Sequence, residues 1–387
     1  MIYLDNNATT EPLPEVREAV LAALRLGPAN PSSPHEAGEP ARRILAEARE
    51  AVAALIGASP ERILFSSSGT EANNLALNSI ISEHPRCRLI TSPLEHESVR
   101  RRAEMAETSG IVVDELPVDH SGRVRLDAAE RMISADVGLV SVQWVNNETG
   151  MIQPVEQIAS ICRSRGVLFH TDAAQAVGKM PVDISSLQAD FLTFTGHKLH
   201  APMGVGVLYF RNRESIRPLF GGGSQEYGLR AGSENLVGIA GLATACRLRR
   251  QRLQQVMPKM SQLRDALEMR VLQSCEGSRC NTPPDAARVC NTTNIQFPGV
   301  DGEALLAQLI TRGVCCSQGS ACTSQIPEPS HTLLGMGLSV EEAYQSIRFS
   351  LSELNTMDEV NEAVNIIAMS YADLQRFFAG MNRKVSA

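Results

Sequence analysis

The chain has 387 residues, 43% of them hydrophobic and 20% charged, enough to bury a large core and to form two or more domains. Its formal net charge of −7 argues against a surface for nucleic acid or anionic membrane, since both need a dense basic face. No apolar run approaches the roughly 18 residues of a membrane span, and the first residues lack the charged and apolar regions of a signal peptide, so a cytoplasmic location is expected. The nine cysteines, an odd number with no C-x-x-C pair, read mostly as small buried apolar residues rather than as a disulfide framework or a zinc site.

From Arg62 to Phe210 short apolar runs alternate with amphipathic stretches, the pattern of parallel strands joined by covering helices. Strands are predicted over Ile63–Phe65, Arg88–Thr91, Gly138–Trp144, Val167–Asp172, Phe191–Thr195 and Val205–Phe210. Helices are predicted over Glu71–Ile81, Ser98–Thr108 and Val155–Arg165. A long helical pattern follows from Glu234 through Gln273, with a break expected near Pro258, and the basic cluster Arg247–Arg252 on it reads as a solvated face. Beyond it, a strand at Asn291–Phe297 and helices near Gly302–Thr311, Val340–Ser346 and Met357–Phe377 suggest a smaller α+β unit. The segment from Cys315 to Pro329 is rich in small and turn-forming residues and is expected to be a mobile loop.

In open parallel sheets, ligands gather outside the carboxyl ends of the strands. Ser68-Gly69-Thr70-Glu71 ends the first strand with capping-box spacing and a glycine that lets backbone approach a ligand, so it reads as a phosphate cradle or a plain helix cap. Asp172, with Gln175 just beyond, ends another strand and could hold a protonated pyridine nitrogen or cap the next helix. Thr195-Gly196-His197-Lys198 ends a third. The chain has four lysines. Lys179 follows a turn, Lys259 lies on a surface-type helix and Lys384 in the tail, which leaves Lys198 as the lysine of a Schiff base, which needs a desolvated pocket, or as an ordinary surface lysine. Asn147, in the turn after Trp144, would bond a substrate carboxylate or shape the turn. His96 would stack on a flat cofactor or begin a helix. Cys322, among small residues, suits an accessible nucleophile, whereas Cys315 and Cys316 read as packing.

Taken together, these segments resemble the cysteine desulfurase family, especially its iron–sulfur and nitrogenase-maturation branch. The resemblance runs almost from end to end, through Tyr3–Thr10, Asn30–Ser33, Ser68–Asn74, Asn146–Gly150, His170–Gln175, Gly196–Lys198, Arg230–Asn235, Gly319–Cys322 and Ile347–Ser350. It implies an α/β fold, the fold type I of pyridoxal-phosphate transferases. A large, mostly parallel-sheet cofactor domain (15–257) is expected beside a small α+β domain (1–14 and 258–387) that carries the cysteine loop, about 315–329. It also implies a homodimer with a shared active site.

By matching motif, pyridoxal 5'-phosphate would form its Schiff base on Lys198, pair its pyridine nitrogen with Asp172 and bond its ring hydroxyl to Gln175. His96 would stack on the ring and pass protons. Gly69, Thr70, Thr195, Gly196 and His197 would hold the phosphate, joined by Ser233 from the second subunit. Asn147 and Arg348 would take the carboxylate of L-cysteine, and Cys322 its sulfur, leaving alanine. The sulfur would pass to an iron–sulfur scaffold or another acceptor, with Cys322 a transient cluster ligand. Thr323–Pro329 resembles the branch whose cysteine loop is long and which hands sulfur directly to a scaffold. Gln318 and Cys315-Cys316 depart from the small residues usual beside this loop, and Cys316 is a candidate second sulfur acceptor. The same fold also serves selenocysteine lyases and aminotransferases, and a scaffold without catalysis would need none of these groups.

Overall fold

The computed structural model describes residues 1–81, 88–319 and 328–385. The chain opens with β1 (Ile2–Tyr3), α1 (Pro14–Leu24) and α2 (Glu39–Ile56). Both helices carry proline in the first turn, where its missing N–H costs nothing, and α2 ends on Gly57 in the left-handed conformation. The alternating region follows as β2 (Ile63–Ser66), α3 (Gly69–Ile81), β3 (Arg88–Thr91), α4 (Glu97–Thr108), β4 (Val112–Glu115), α5 (Leu126–Met132), β5 (Val137–Ser141), α6 (Val155–Ser164), β6 (Leu168–Asp172), α7 (Ile184–Leu187), β7 (Phe191–Thr195) and β8 (Gly206–Phe210). These strands form a sheet in the order β2-β8-β7-β6-β5-β3-β4, in which β8 alone runs against its neighbours.

The near-continuous apolar character of the strands follows from burial on both faces. Along β2, β5 and β7 successive side chains turn to opposite sides. Ile63, Phe65, Val140, Leu192 and Phe194 enter one core with α2 and α6, while Leu64, Leu139 and Phe191 enter another with α3 and α4. The result is the α/β architecture, mixed and mostly parallel, that the alternating pattern predicts.

The remainder runs through α8 (Leu236–Ser274), β9 (Arg279–Cys280), β10 (Thr292–Gln296), α9 (Gly302–Thr311), β11 (Val314–Cys315), α10 (His331–Gly335), α11 (Val340–Tyr344), β12 (Ser346–Ser350) and α12 (Met357–Val385). Antiparallel β12-β10-β9 and the parallel pair β1-β11 share a separate core with α9 and α12. The N-terminal segment joins this part: Ser350 N donates to Leu4 O at 2.7 Å.

The break expected at Pro258 does not occur. Helix α8 continues through it for 39 residues. Gln254 and Pro258 both lie on the exposed face, so the backbone bond that proline cannot make is lost beside water. Val256 and Met260 are anchored in the large core and Leu263 and Leu267 in the smaller one, and this packing outweighs the local cost. Among the described residues no helix is long and apolar enough to cross a membrane.

Candidate active site

Because β2, β3, β5, β6 and β7 are parallel, their carboxyl ends meet at one edge of the sheet, and a cavity of about 170 Å³ lies there. Its wall includes Gly69, Thr70, His96, Asn147, Asp172, Gln175, Thr195, His197, Lys198 and Arg348, ten of the residues singled out from sequence. Gly196 packs behind the wall, where an added Cβ would come within 2.9 Å of Val205. Ser233 is exposed on the loop before α8 and does not line this cavity. Cys322, both as nucleophile and as transient metal ligand, lies outside the described residues, as does most of its loop. Among the described residues no group of His, Cys, Asp and Glu is placed to hold a metal.

Several residues do both things that their sequence context allowed. Ser68 Oγ caps α3 by accepting from Glu71 N at 3.1 Å, and Ser68 also lines the cavity. The amides that follow, of Gly69 and Thr70, are first-turn donors that an α-helix cannot use itself. His96 is the N-cap of α4, with Nδ1 accepting from Ser98 N at 3.1 Å, and its ring still borders the cavity. In the turn after Trp144 the shaping falls to Asn146, whose Oδ1 accepts from Glu148 N and Thr149 N at 2.9 Å. Asn147 is thereby left to face the cavity.

Asp172 is buried, with Oδ2 accepting from Asn73 Nδ2 at 2.8 Å and Oδ1 from Ala174 N at 2.9 Å. Asn73 Nδ2 also donates to Ser98 Oγ at 2.8 Å, and Ser98 Oγ lies 2.7 Å from His96 Nδ1, so one buried amide ties Asp172 to His96. Sequence reading passed over Asn73, although it stands one turn after Gly69. Lys198 Nζ donates to the main-chain oxygens of Asn7 and Ala8, the latter at 2.6 Å. His197 is pushed down to about 4, first by burial and then by the charges of Lys198 and Lys179, so it is neutral at pH 7.

Arg348, in β12, also lines the cavity and is 2% exposed. Its Nη2 donates to Asp5 Oδ1 at 2.7 Å and its Nη1 to Asn147 O at 3.2 Å, while among the described residues its Nε finds no partner. A buried donor of this kind suits a bound carboxylate.

Two sequence expectations need correction. Lys179 does follow a turn, yet it is only 5% exposed, so position on a turn was no ground for denying it a desolvated setting. What separates the two lysines is that Lys198 borders the cavity and Lys179 lies behind Gln175. Cys316 is buried, and burial pushes its thiol far above the ordinary range, which favours packing over a second sulfur acceptor.

The cavity's own chemistry fits pyridoxal 5'-phosphate. A Cβ added to Gly69 would meet only Thr195, at 3.5 Å, so packing does not demand this glycine and its gap leaves a cradle at the helix N-terminus. Across the same cavity stand an amine, a carboxylate and an imidazole in the combination such a cofactor uses. Gly206 supports this cradle from β8, because a Cβ there would fall 2.3 Å from Ser68 O. Gly206→Ala is expected to displace the loop and to cost about 1–3 kcal/mol in denaturant unfolding. Wild-type stability would show that the loop yields freely.

Glu95 precedes His96 and is 1% exposed. Its Oε1 accepts from Ser92 Oγ at 2.7 Å and Gln143 N at 2.8 Å, and among the described residues its Oε2 has no partner. Burial pushes its carboxyl from the ordinary 4.5 up to about 8, so the folded chain keeps it protonated at pH 7. The folded state then binds this proton more tightly than the unfolded state does. Stability is full below about pH 4.5 and falls toward pH 8 by up to about 1.4 kcal/mol per unit. Glu95→Gln should flatten that slope in unfolding measured across this range, and an unchanged slope would contradict the assignment.

This assembly defines a class of protein: a doubly covered α/β enzyme whose cavity, at the carboxyl ends of the parallel strands, is lined by a lysine, a carboxylate and an imidazole. The sequence profile of the aminotransferase class-V family matches residues 2–363. The chain is 42% identical over 369 residues to a cysteine desulfurase of Trichormus azollae, covering 95% of this chain and 92% of that one. It is 40% identical over 376 residues to the cysteine desulfurase NifS of Azotobacter vinelandii, covering 97% and 93%. A solved NifS-like protein superposes with a TM-score of 0.90 at 34% identity, covering 96% of this chain and all of that one. The chain belongs to the class-V aminotransferase family, among its cysteine desulfurases.

Proposed function

We propose that this chain removes sulfur from L-cysteine, with pyridoxal 5'-phosphate held on Lys198, and deposits it on Cys322. The observation that carries the reading is one cavity lined by Lys198, Asp172 and the buried Arg348, whose Nε is unpartnered among the described residues. Arg348 and Asn147 would hold the substrate carboxylate and so aim its α-carbon toward Lys198. The amine of Lys198 takes the proton from that carbon, and Asp172 keeps a proton on the pyridine nitrogen. When bound, the cofactor supplies a sink for the electrons that this proton leaves behind. His96 covers the ring and exchanges protons. Gly69, Thr70, Thr195 and neutral His197 hold the phosphate through dipoles and hydroxyls, and Ser233 joins them across a homodimer interface.

The thiolate of Cys322 attacks the substrate sulfur, a sulfur–sulfur bond forms as the carbon–sulfur bond breaks, and protonation of the remainder gives alanine. The persulfide then goes to an acceptor protein of iron–sulfur assembly. Purified, cofactor-loaded protein with L-cysteine and a reductant is expected to yield alanine and sulfide in equal amounts. Alanine without sulfide, or no turnover, would contradict the reading.

A further inference from the structure

Lys179 plays no part in this chemistry, yet its amine is deep in the site. Its Nζ donates to Asn7 Oδ1 at 2.8 Å and to Gln175 Oε1. Both acceptors are neutral amide oxygens, and burial, helped by the charge of Lys198, lowers the amine well below its ordinary range.

Asn7 cannot turn over to meet it otherwise. Its Nδ2 donates to Asn147 O at 3.0 Å and Thr292 Oγ1 at 2.8 Å, and its Oδ1 also accepts from Asn291 Nδ2 at 3.1 Å. Gln175 is held more lightly. Its Nε2 donates to Asn7 O at 3.2 Å, a long bond to an oxygen that also takes Lys198 Nζ. The hold on the Gln175 oxygen therefore comes from Lys179, and it leaves the amide nitrogen as the end that can donate into the cavity.

We propose that Lys179 is a positioning residue: by holding the oxygen of the Gln175 carboxamide it sets the nitrogen as hydrogen-bond donor to the cofactor's ring oxygen. This rests on the assignment of Gln175 to that oxygen. A carboxamide free to flip would present an oxygen to an oxygen, and the donor would be lost.

The test reads the pH midpoint of the visible absorbance of cofactor-loaded protein, without turnover, in wild type, Gln175→Ala, Lys179→Met and the double variant. Losing a donor to a charged oxygen should raise the midpoint by about one unit in Gln175→Ala. Lys179→Met is expected to shift it comparably, and the double variant no further than Gln175→Ala alone. Lys179→Gln, which keeps an N–H for Gln175, should return most of the way to wild type.

A shift in Gln175→Ala with none in Lys179→Met overturns the proposal, and so do additive shifts, which would mark a separate structural role. No shift in Gln175→Ala overturns the assignment of Gln175 and the proposal with it. Thermal unfolding of the cofactor-free variants checks folding. Collapse of both Lys179 variants overturns the proposal in favour of a purely structural lysine.

Discussion

Lys198→Ala is expected to lower turnover of L-cysteine by at least about 10⁴-fold while leaving the chain folded. The variant loses two functions at once, attachment of the cofactor and removal of the α-proton, and no other amine can replace them. Lys179 is the nearest alternative, but its Nζ is engaged by Asn7 and Gln175 behind the cavity wall. The structural cost is small, because Lys198 is only partly buried and one of its two acceptors, Asn7 O, keeps Gln175 Nε2 as a donor. Steady-state rates and thermal unfolding on the same preparation check both halves. Appreciable activity in the variant would mean that another group does the chemistry.

Arg348→Ala is expected to reduce kcat/KM for L-cysteine by about 10²-fold, chiefly through KM, because the side chain holds the carboxylate and not the reacting bond. Stability falls too. Asp5 loses the partner of a 2.7 Å ion pair, and the oxygen of Asn147 loses a donor. Arg348→Lys should recover stability better than affinity, since an ammonium cannot reproduce the planar fork that reaches Asp5, Asn147 and substrate together. An unchanged KM in Arg348→Ala would remove it from the substrate site.

Six strands of the large sheet were legible because a sheet buried on both faces writes each strand as a short apolar run, as at Ile63–Phe65 and Phe191–Thr195, whereas β4, at the sheet edge with Val112 and Glu115 exposed, went unpredicted. β1 and β11 were not legible, because two residues carry no period and their pairing joins segments more than 300 positions apart in sequence. Pro258 misled because local propensity was set against packing that only the folded chain reveals. Polar residues ending strands pointed to the cavity from the sequence itself. The resemblance to cysteine desulfurases gave each of them a role, and supplied Arg348, which sits inside a strand and has no local mark.

What lay beyond reach was the wiring behind the wall. Asn7 looks like any loop asparagine, yet it bonds Lys179, Lys198, Gln175, Asn147, Asn291, Thr292 and Ser350. Lys179 was judged by its turn and not by what encloses that turn. Burial of a polar group is decided by elements distant in sequence, so a single chain read locally underestimates it.

The central claim is that sulfur from L-cysteine comes to rest on Cys322. The direct measurement is the mass of the peptide bearing Cys322 after a single exposure of cofactor-loaded protein to L-cysteine, without reductant, alongside alanine release from Cys322→Ala. The account predicts a gain of one sulfur atom on that peptide and no alanine above background from the variant. An unmodified Cys322 peptide, or alanine formed at the wild-type rate without this thiol, would contradict it.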